Sequence, residues 1–277
     1  MVADILSRSL GRNEITALYT YPVKSLRGVA VSEIEVGPYG FKWDREWAVI
    51  GPDGRRLSAR KYPRLATIGV GIAKDALVLS HAEQRDITVE HRGSEKRPVK
   101  LTATLVDQFA QSASSEVDAW MSEIMGFDCQ LVRMSQQGSQ ELALFPVHLV
   151  SLQSLAEVNR RLSKPISELR FRPNIVVQGV VPFEEDRWAN LSIERVHMRV
   201  VDLTDRCSVP NIDPESGETS IEPLKTLAGF RRNGTGVTFG LYARPTAAGF
   251  LQVGMEVVPF VTASETMIQP MPRMPTI

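Results

Sequence analysis

Cys207 stands between Arg206 and Ser208, just past an alternating apolar run that ends at Leu203. A cation beside a thiol lowers the thiol pKa, and the thiolate is both a nucleophile and a ligand for soft metals. A lone cysteine is equally a small buried hydrophobe, and the residues alone leave both readings open. Lys24 and Ser25 follow Pro22 at the exit of another alternating run. A charge beside a hydroxyl suits a phosphate, and a solvated turn lysine is the plainer alternative. Arg45, within Trp43-Asp44-Arg45-Glu46-Trp47, is either an anion ligand or half of a structural ion pair. Arg172 and Asn174 flank Pro173 and would project to one side of an extended chain. A planar cationic fork and an amide there either grip a polar ligand or tie a loop together.

Composition narrows the field. Lysine plus arginine and aspartate plus glutamate number 32 each in 277 residues, so the formal charge is zero and no nucleic-acid partner is expected. The two cysteines, Cys129 and Cys207, exclude a disulfide framework, a CxxC motif and any four-cysteine metal site within the chain. His81, His91, His148 and His197 show no HxxxH or HExxH spacing, which argues against a zinc enzyme. No apolar run approaches the roughly 18 residues of a membrane span, and residues 1–12 lack the apolar core of a secretory signal. The expectation is a cytoplasmic protein without a membrane span.

The elements that must position these residues are mostly strands. Alternation predicts strands over Ile15–Tyr19, Val29–Val36 and the run ending at Ile50, then a meander through Leu57–Arg60, Ala66–Ile72, Ala76–Ser80, Ile87–Glu90 and Val99–Leu105. Such short, regularly spaced strands imply a barrel or sandwich. A helix is predicted over Ser115–Met125, with Gly126 as its stop and Val117, Trp120, Met121 and Ile124 on its buried face. Cys129 follows in the apolar run Phe127–Val132 and is read as structural. The polar stretch 133–141 reads as a linker. A second helix is predicted over Ser151–Leu162, capped by Ser151, after a short strand from Pro146. Strands are predicted over Phe171–Val177, Ile193–Leu203, Val237–Ala243 and Phe250–Pro259.

Tyr21-Pro22-Val23-Lys24-Ser25, Gly40 and Asp44-Arg45-Glu46-Trp47 resemble the N-terminal β-barrel domain that precedes a MOSC domain. Phe171-Arg172-Pro173-Asn174-Ile175-Val176, Arg206-Cys207, Asp213-Pro214, Gly217, Pro223-Leu224, Thr226-Leu227 and Phe239-Gly240 resemble the MOSC domain itself. The layout is similar to the mitochondrial amidoxime-reducing component and its bacterial counterparts. The resemblance implies a mainly β (α+β) fold with a few helices: an N-terminal β-barrel domain over 14–132, a MOSC β-barrel domain over 140–260 and a loose tail over 264–277.

The resemblance also implies a molybdenum cofactor (Mo-molybdopterin), with no pyridoxal phosphate site expected. Cys207 is then the metal ligand and a catalytic residue, and Lys24, Ser25, Arg45, Arg172, Asn174, Asp205 and Arg206 form the cofactor shell. Asp205 stands where relatives often carry a small hydroxyl residue; a carboxylate there repels phosphate, so it is expected to pair with Arg206 or to point away. The segment Leu142–Phe145 is apolar where relatives often place polar cofactor contacts. Asp213 shares the Cys207 loop and is read as a proton carrier, or else as a turn residue fixed by Pro214 and Gly217. The implied reaction is reduction of small N-hydroxylated substrates by oxygen-atom removal. Its electrons come from a separate ferredoxin- or flavoprotein-like protein. Two further readings are a cofactor carrier or sulfur-handling protein without turnover, and a thiol hydrolase, for which no histidine partner is evident in the sequence.

Overall fold

The computed structural model of the chain describes residues 12–90, 98–101, 108–134, 146–179 and 181–261. The tail over 264–277, most of the linker over 133–141, and Leu142–Phe145 lie outside the described residues.

Strands dominate, as the alternation predicts. The first half contains β1 (Ile15–Thr20), β2 (Val29–Val31), β3 (Glu33–Gly37), β4 (Gly40–Phe41), β5 (Trp47–Ile50), β6 (Gly69–Ala73), β7 (Ala76–His81) and β8 (Gln84–Glu90). It continues with β9 (Pro98–Leu101), β10 (Gln108–Ser112), helix α1 (Ser115–Met125) and β11 (Gln130–Met134). The second half contains β12 (Val147–Ser151), α2 (Leu152–Asn159), β13 (Ile175–Val177), β14 (Trp188–Ile193) and β15 (Val196–Asp205). It ends with α3 (Leu224–Ala228), β16 (Arg232–Asn233), β17 (Gly236–Ala247), β18 (Gly249–Gln252) and β19 (Val258–Val261).

The large sheet has nine strands, in the order β19-β14-β15-β17-β12-β13-β1-β2 with β16 paired to β17. Smaller sheets run β5-β11-β10-β9, β18-β3-β4 and β6-β7-β8. The mainly β fold with few helices is as expected, and among the described residues these hydrogen-bonded paths are open, with no closed barrel found. The two halves also exchange strands. β1 pairs antiparallel with β13, aligning Leu18 with Ile175, and β18 pairs with β3, aligning Leu251 with Ile34. Ile15, Leu18, Val36, Leu149, Ile175 and Leu251, drawn from both halves, therefore share one buried core. A second core under α1 gathers Trp47, Leu65, Leu77, Leu79, Trp120 and Met121.

Helix α1 matches its predicted bounds because its stop signals are local. Ser114 caps it by accepting from the Val117 N–H at 3.2 Å, and Gly126 ends it in the left-handed region at φ 75°. Ser151 caps α2, which stops at Asn159 rather than Leu162. Cys129 is buried, and burial pushes its thiol up to about 11, consistent with a structural role.

Several predicted strands differ. Leu57–Arg60 is loop and turn, followed by a 3-10 turn over Pro63–Thr67, where Pro63 sets φ for a turn and supplies no ladder donor. Phe171 closes a 3-10 turn (Glu168–Phe171), so only Ile175–Val177 is strand. β14 was not predicted from the sequence; it forms a tight hairpin with β15, with Glu194 at φ 50° in the turn between Ile193 and Val196.

Candidate functional site

The site is built where the ends of several strands converge. Lys24 N–H donates to the Trp47 carbonyl at 2.8 Å, and the Arg45 and Trp47 N–H groups donate to the Tyr21 and Pro22 carbonyls. This backbone clasp sets Lys24-Ser25 beside Arg45. β13 lies against β1 and brings the Arg172 segment to the same place. β15 delivers Cys207 from the opposite side, pairing with β17 up to Asp205 and Thr238.

These segments enclose a cavity of about 380 Å³. It is lined by Lys24, Ser25, Arg45, Arg172, Asp205, Arg206 and Cys207, all but one of the residues assigned to the cofactor shell, together with Ser58, Arg60, His148, Arg170 and Tyr242. Six cations thus face one carboxylate and one exposed thiol. Burial, with Arg56 and Arg45 nearby, pulls the Lys24 ammonium down to about 8. Burial likewise lowers Arg172 and Arg206 to about 10, where both stay charged at neutral pH. The ammonium still dominates at neutral pH, and an anion bound among the arginines would favour the charged form further.

Ser25 (φ 74°), Arg45 (φ 56°) and Arg172 (φ 55°) all occupy the left-handed region, which non-glycine residues rarely adopt. Three such residues around one cavity mark the kind of backbone strain that collects at ligand sites. The expectation that Arg172 and Asn174 project to the same side fails for this reason, since left-handed Arg172 breaks the extended alternation.

Arg172 stacks on Tyr21, 4.2 Å from the ring centroid, and donates to the Leu26 carbonyl at 2.6 Å. Gly28 allows this arrangement, because a Cβ there would lie 2.5 Å from the Tyr21 ring. Arg45 is paired with Asp44, whose Oδ1 also accepts from the Tyr21 N–H at 2.8 Å and from Asn174 Nδ2 at 3.2 Å. Burial pushes the Asp44 carboxyl up, against the pull of Arg45.

Asn174 is the expected shell residue that the structure does not bring to the wall. It is fully buried; its Oδ1 accepts from the His148 N–H at 3.0 Å, and its Nδ2 donates to the Tyr19 carbonyl and to Asp44. It ties the halves together behind the cavity. Asp205 lines the cavity with its carboxylate laid over Gly236, where any Cβ would collide with it. Asp213 also stands outside the lining. Its Oδ2 accepts from Arg170 at 2.8 Å and its Oδ1 from the Glu215 and Ser216 N–H groups. Those backbone bonds and Arg170 hold its carboxyl below the usual range, and both carboxylate oxygens are committed to the turn and to Arg170.

Sequence reasoning missed Arg60, Arg170 and His148. A histidine inside the apolar run Val147–Val150 was the available signal for the last. His148 shares the cavity with Cys207, yet both ring nitrogens are engaged: Nε2 with Arg206 Nη2 at 2.5 Å and Nδ1 with the Arg172 carbonyl at 3.2 Å. Burial and Arg206 hold its pKa well below the usual value. An imidazole so engaged is not the base that a thiol hydrolase needs.

Among the described residues, no cluster of three or more His, Cys, Asp or Glu side chains is arranged to hold a metal ion. The donor set instead suits a metal that arrives with ligands of its own and an anionic group attached: one exposed thiol for the metal, and clustered cations for the anion. No helix among the described residues is long and apolar enough to cross a membrane.

The fold and the cavity together define a two-part, mainly β protein with a cation-lined cavity beside an exposed thiol. Residues 12–128 match the MOSC N-terminal beta barrel domain and residues 142–258 match the MOSC domain. The chain is 30% identical over 280 residues to the mitochondrial amidoxime-reducing component 1 of Homo sapiens, covering 87% of this chain and 81% of that protein. It is 29% identical over 284 residues to the mitochondrial amidoxime reducing component 2 of Rattus norvegicus, with the same two coverages of 87% and 81%. It is 29% identical over 289 residues to the molybdenum cofactor sulfurase of Danio rerio, covering 90% of this chain and 34% of that protein. The chain belongs to the MOSC family. It spans about a third of the sulfurase and about four fifths of the amidoxime-reducing components.

Proposed function

We propose that this protein is a molybdenum-cofactor oxidoreductase that reduces small N-hydroxylated compounds, with electrons supplied by a separate protein. The observation that carries the reading is the convergence of Cys207 with Lys24, Arg45, Arg172 and Arg206 on one cavity. The chain is 30% identical to the human amidoxime-reducing component 1 over 81% of that protein, which supports the reductase reading.

In this reading the Cys207 Sγ is the protein's one ligand to the metal. Lys24, Ser25 and Arg45 hold the anionic end of the cofactor from one half of the chain, and Arg172 holds it from the other. Bound there, the cofactor supplies the two-electron redox capacity that no side chain here has. The net reaction breaks the N–O bond of the substrate, takes up two electrons and two protons, and releases water. Asp213 is not proposed as the proton carrier, for the reasons given by its geometry.

The test is turnover of a simple amidoxime by cofactor-loaded protein with an artificial electron donor. Reduction to the amidine by the wild type, and its loss in Cys207→Ala, supports the proposal. Stoichiometric cofactor without turnover on amidoxime or hydroxylaminopurine identifies a carrier instead.

A further inference from the structure

We infer that His148 is a positioning residue for this site: a neutral imidazole that fixes the Arg206 guanidinium beneath the thiol-bearing loop. The inference rests on the reading of the Cys207 cavity as the working site.

Arg206 is the last anchored residue before the thiol. Its backbone N–H donates to the Val237 carbonyl at 2.8 Å. Its Nε and Nη2 donate to the Phe239 carbonyl at 2.9 and 2.6 Å, and its Nη1 donates to the Phe171 carbonyl at 3.2 Å. The guanidinium lies over the Phe171 and Phe239 rings, 5.1 and 6.0 Å from their centroids. Most of its donors are therefore turned to the protein, so Arg206 serves as the floor of the cavity more than as a free anion clamp.

The remaining partner is His148. Arginine has no acceptor and does not lose its proton in proteins, so the 2.5 Å contact requires His148 Nε2 to accept. The proton then sits on Nδ1, where it is donated to the Arg172 carbonyl at 3.2 Å. One ring thus links the side chain of Arg206 to the backbone of left-handed Arg172. The link spans both sides of the cavity.

The surroundings admit this ring and hold it. His148 is 2% exposed. Its backbone is clamped by Asn174, through N–H to Oδ1 at 3.0 Å and through the His148 carbonyl to the Asn174 N–H at 2.7 Å. Gly240, at φ 75°, leaves the space, since a Cβ there would lie 2.9 Å from His148 Nε2. The same Cβ would lie 2.5 Å from the Leu149 carbonyl, so a side chain at 240 would crowd both that carbonyl and the imidazole.

The experiment has two arms. In the first, ¹⁵N spectra of histidine- and arginine-labelled protein without cofactor report the tautomer of His148 and the exchange rate of the Arg206 Nε–H. The expected result is a neutral, Nδ1-protonated His148 and a slowly exchanging Arg206 Nε–H that exchanges at least tenfold faster in His148→Leu. In the second, molybdenum content and steady-state kinetics are compared for the wild type, His148→Leu and His148→Gln. The leucine variant keeps the volume and removes the acceptor; it should lose about 10–100-fold in molybdenum affinity or kcat, with KM little changed, as for other groups behind a metal site. The glutamine variant restores an acceptor near Nε2 and should recover most of the loss.

An Nε2-protonated His148, or unchanged Arg206 exchange in His148→Leu, would overturn the inference. So would kcat and molybdenum content within about twofold of wild type in the leucine variant, where a genuine positioning role removes tenfold or more. If His148→Leu does not fold, the wild-type tautomer and the glutamine variant decide. The first arm needs no cofactor, so failure of the proposed function leaves it standing on its own result.

Discussion

Asn174 Nδ2 lies 3.2 Å from Asp44 Oδ1, a contact between residues 130 positions apart in the chain. Asp44 in turn is paired with Arg45, so an amide from the second half of the protein sets a cation contributed by the first. The cavity is therefore a property of the joined halves.

Asn174→Ala should weaken that joint. It leaves the buried His148 N–H and the Tyr19 carbonyl without their partner and removes one donor from Asp44. A loss of about 2–3 kcal/mol is expected for stranding buried polar groups in this way. The urea midpoint measures it. A midpoint unchanged from wild type would contradict the role.

Much of this was legible in the sequence. Alternation gave most strands, and the Ser114 and Gly126 signals gave α1, because both depend on neighbours a few residues away. Lys24, Arg45, Arg172 and Cys207 stood out by residue type and local motif. Legibility ended where long-range pairing takes over. The crossing of β1 into the large sheet depends on the match of Leu18 to Ile175, which no local window contains. The left-handed turn of Arg172 depends on the 3-10 turn before it and on its fit against Tyr21. Asn174 and Asp213 have the chemistry of ligand contacts, but their polar atoms are committed to the protein itself. No second histidine shares the spacing of His148, and its partner is an arginine 58 positions away in the chain.

Anion affinity should fall with rising pH in a predictable window. Lys24 has its ammonium lowered from 10.5 to about 8, so the cavity keeps this charge below about pH 8 and loses it above. Binding of sulfate, whose own charge is constant in that range, should weaken as pH rises through about 8. Lys24→Met should bind more weakly at pH 7 and show a flatter profile. An equally steep profile in the variant would assign the titration to another group.

Arg206→Met should be more harmful than its position beside an exposed cysteine suggests. The change leaves the Phe239 and Phe171 carbonyls and His148 Nε2 without their donor in a largely buried setting. A destabilisation of about 2–4 kcal/mol is expected, read from the denaturant midpoint. Arg206→Lys should recover little, because a single ammonium cannot reproduce a fork that reaches three acceptors.

Glu185 provides a test away from the site. It is fully buried with Oε1 accepting from Ser154 Oγ at 2.6 Å, and burial raises its carboxyl from 4.5 to about 7. The folded state holds this proton more tightly than the unfolded one, so stability should be lost as pH rises from about 4.5 through about 7. At roughly 1.4 kcal/mol per unit, the full effect is of order 3 kcal/mol. Glu185→Gln should raise the Tm at pH 8 and leave it nearly unchanged at pH 4.5. No gain at pH 8 would contradict the account.

The most direct test of the central claim is the molybdenum and pterin content of the wild type and Cys207→Ala, purified from a cofactor-producing host. Cys207 is exposed, so the variant should fold with an unchanged Tm. The account predicts near-stoichiometric molybdenum in the wild type, and metal lost or its spectrum altered in the variant. Neither metal nor pterin in the wild type after reconstitution, or equal metal with an identical spectrum in both, would contradict it.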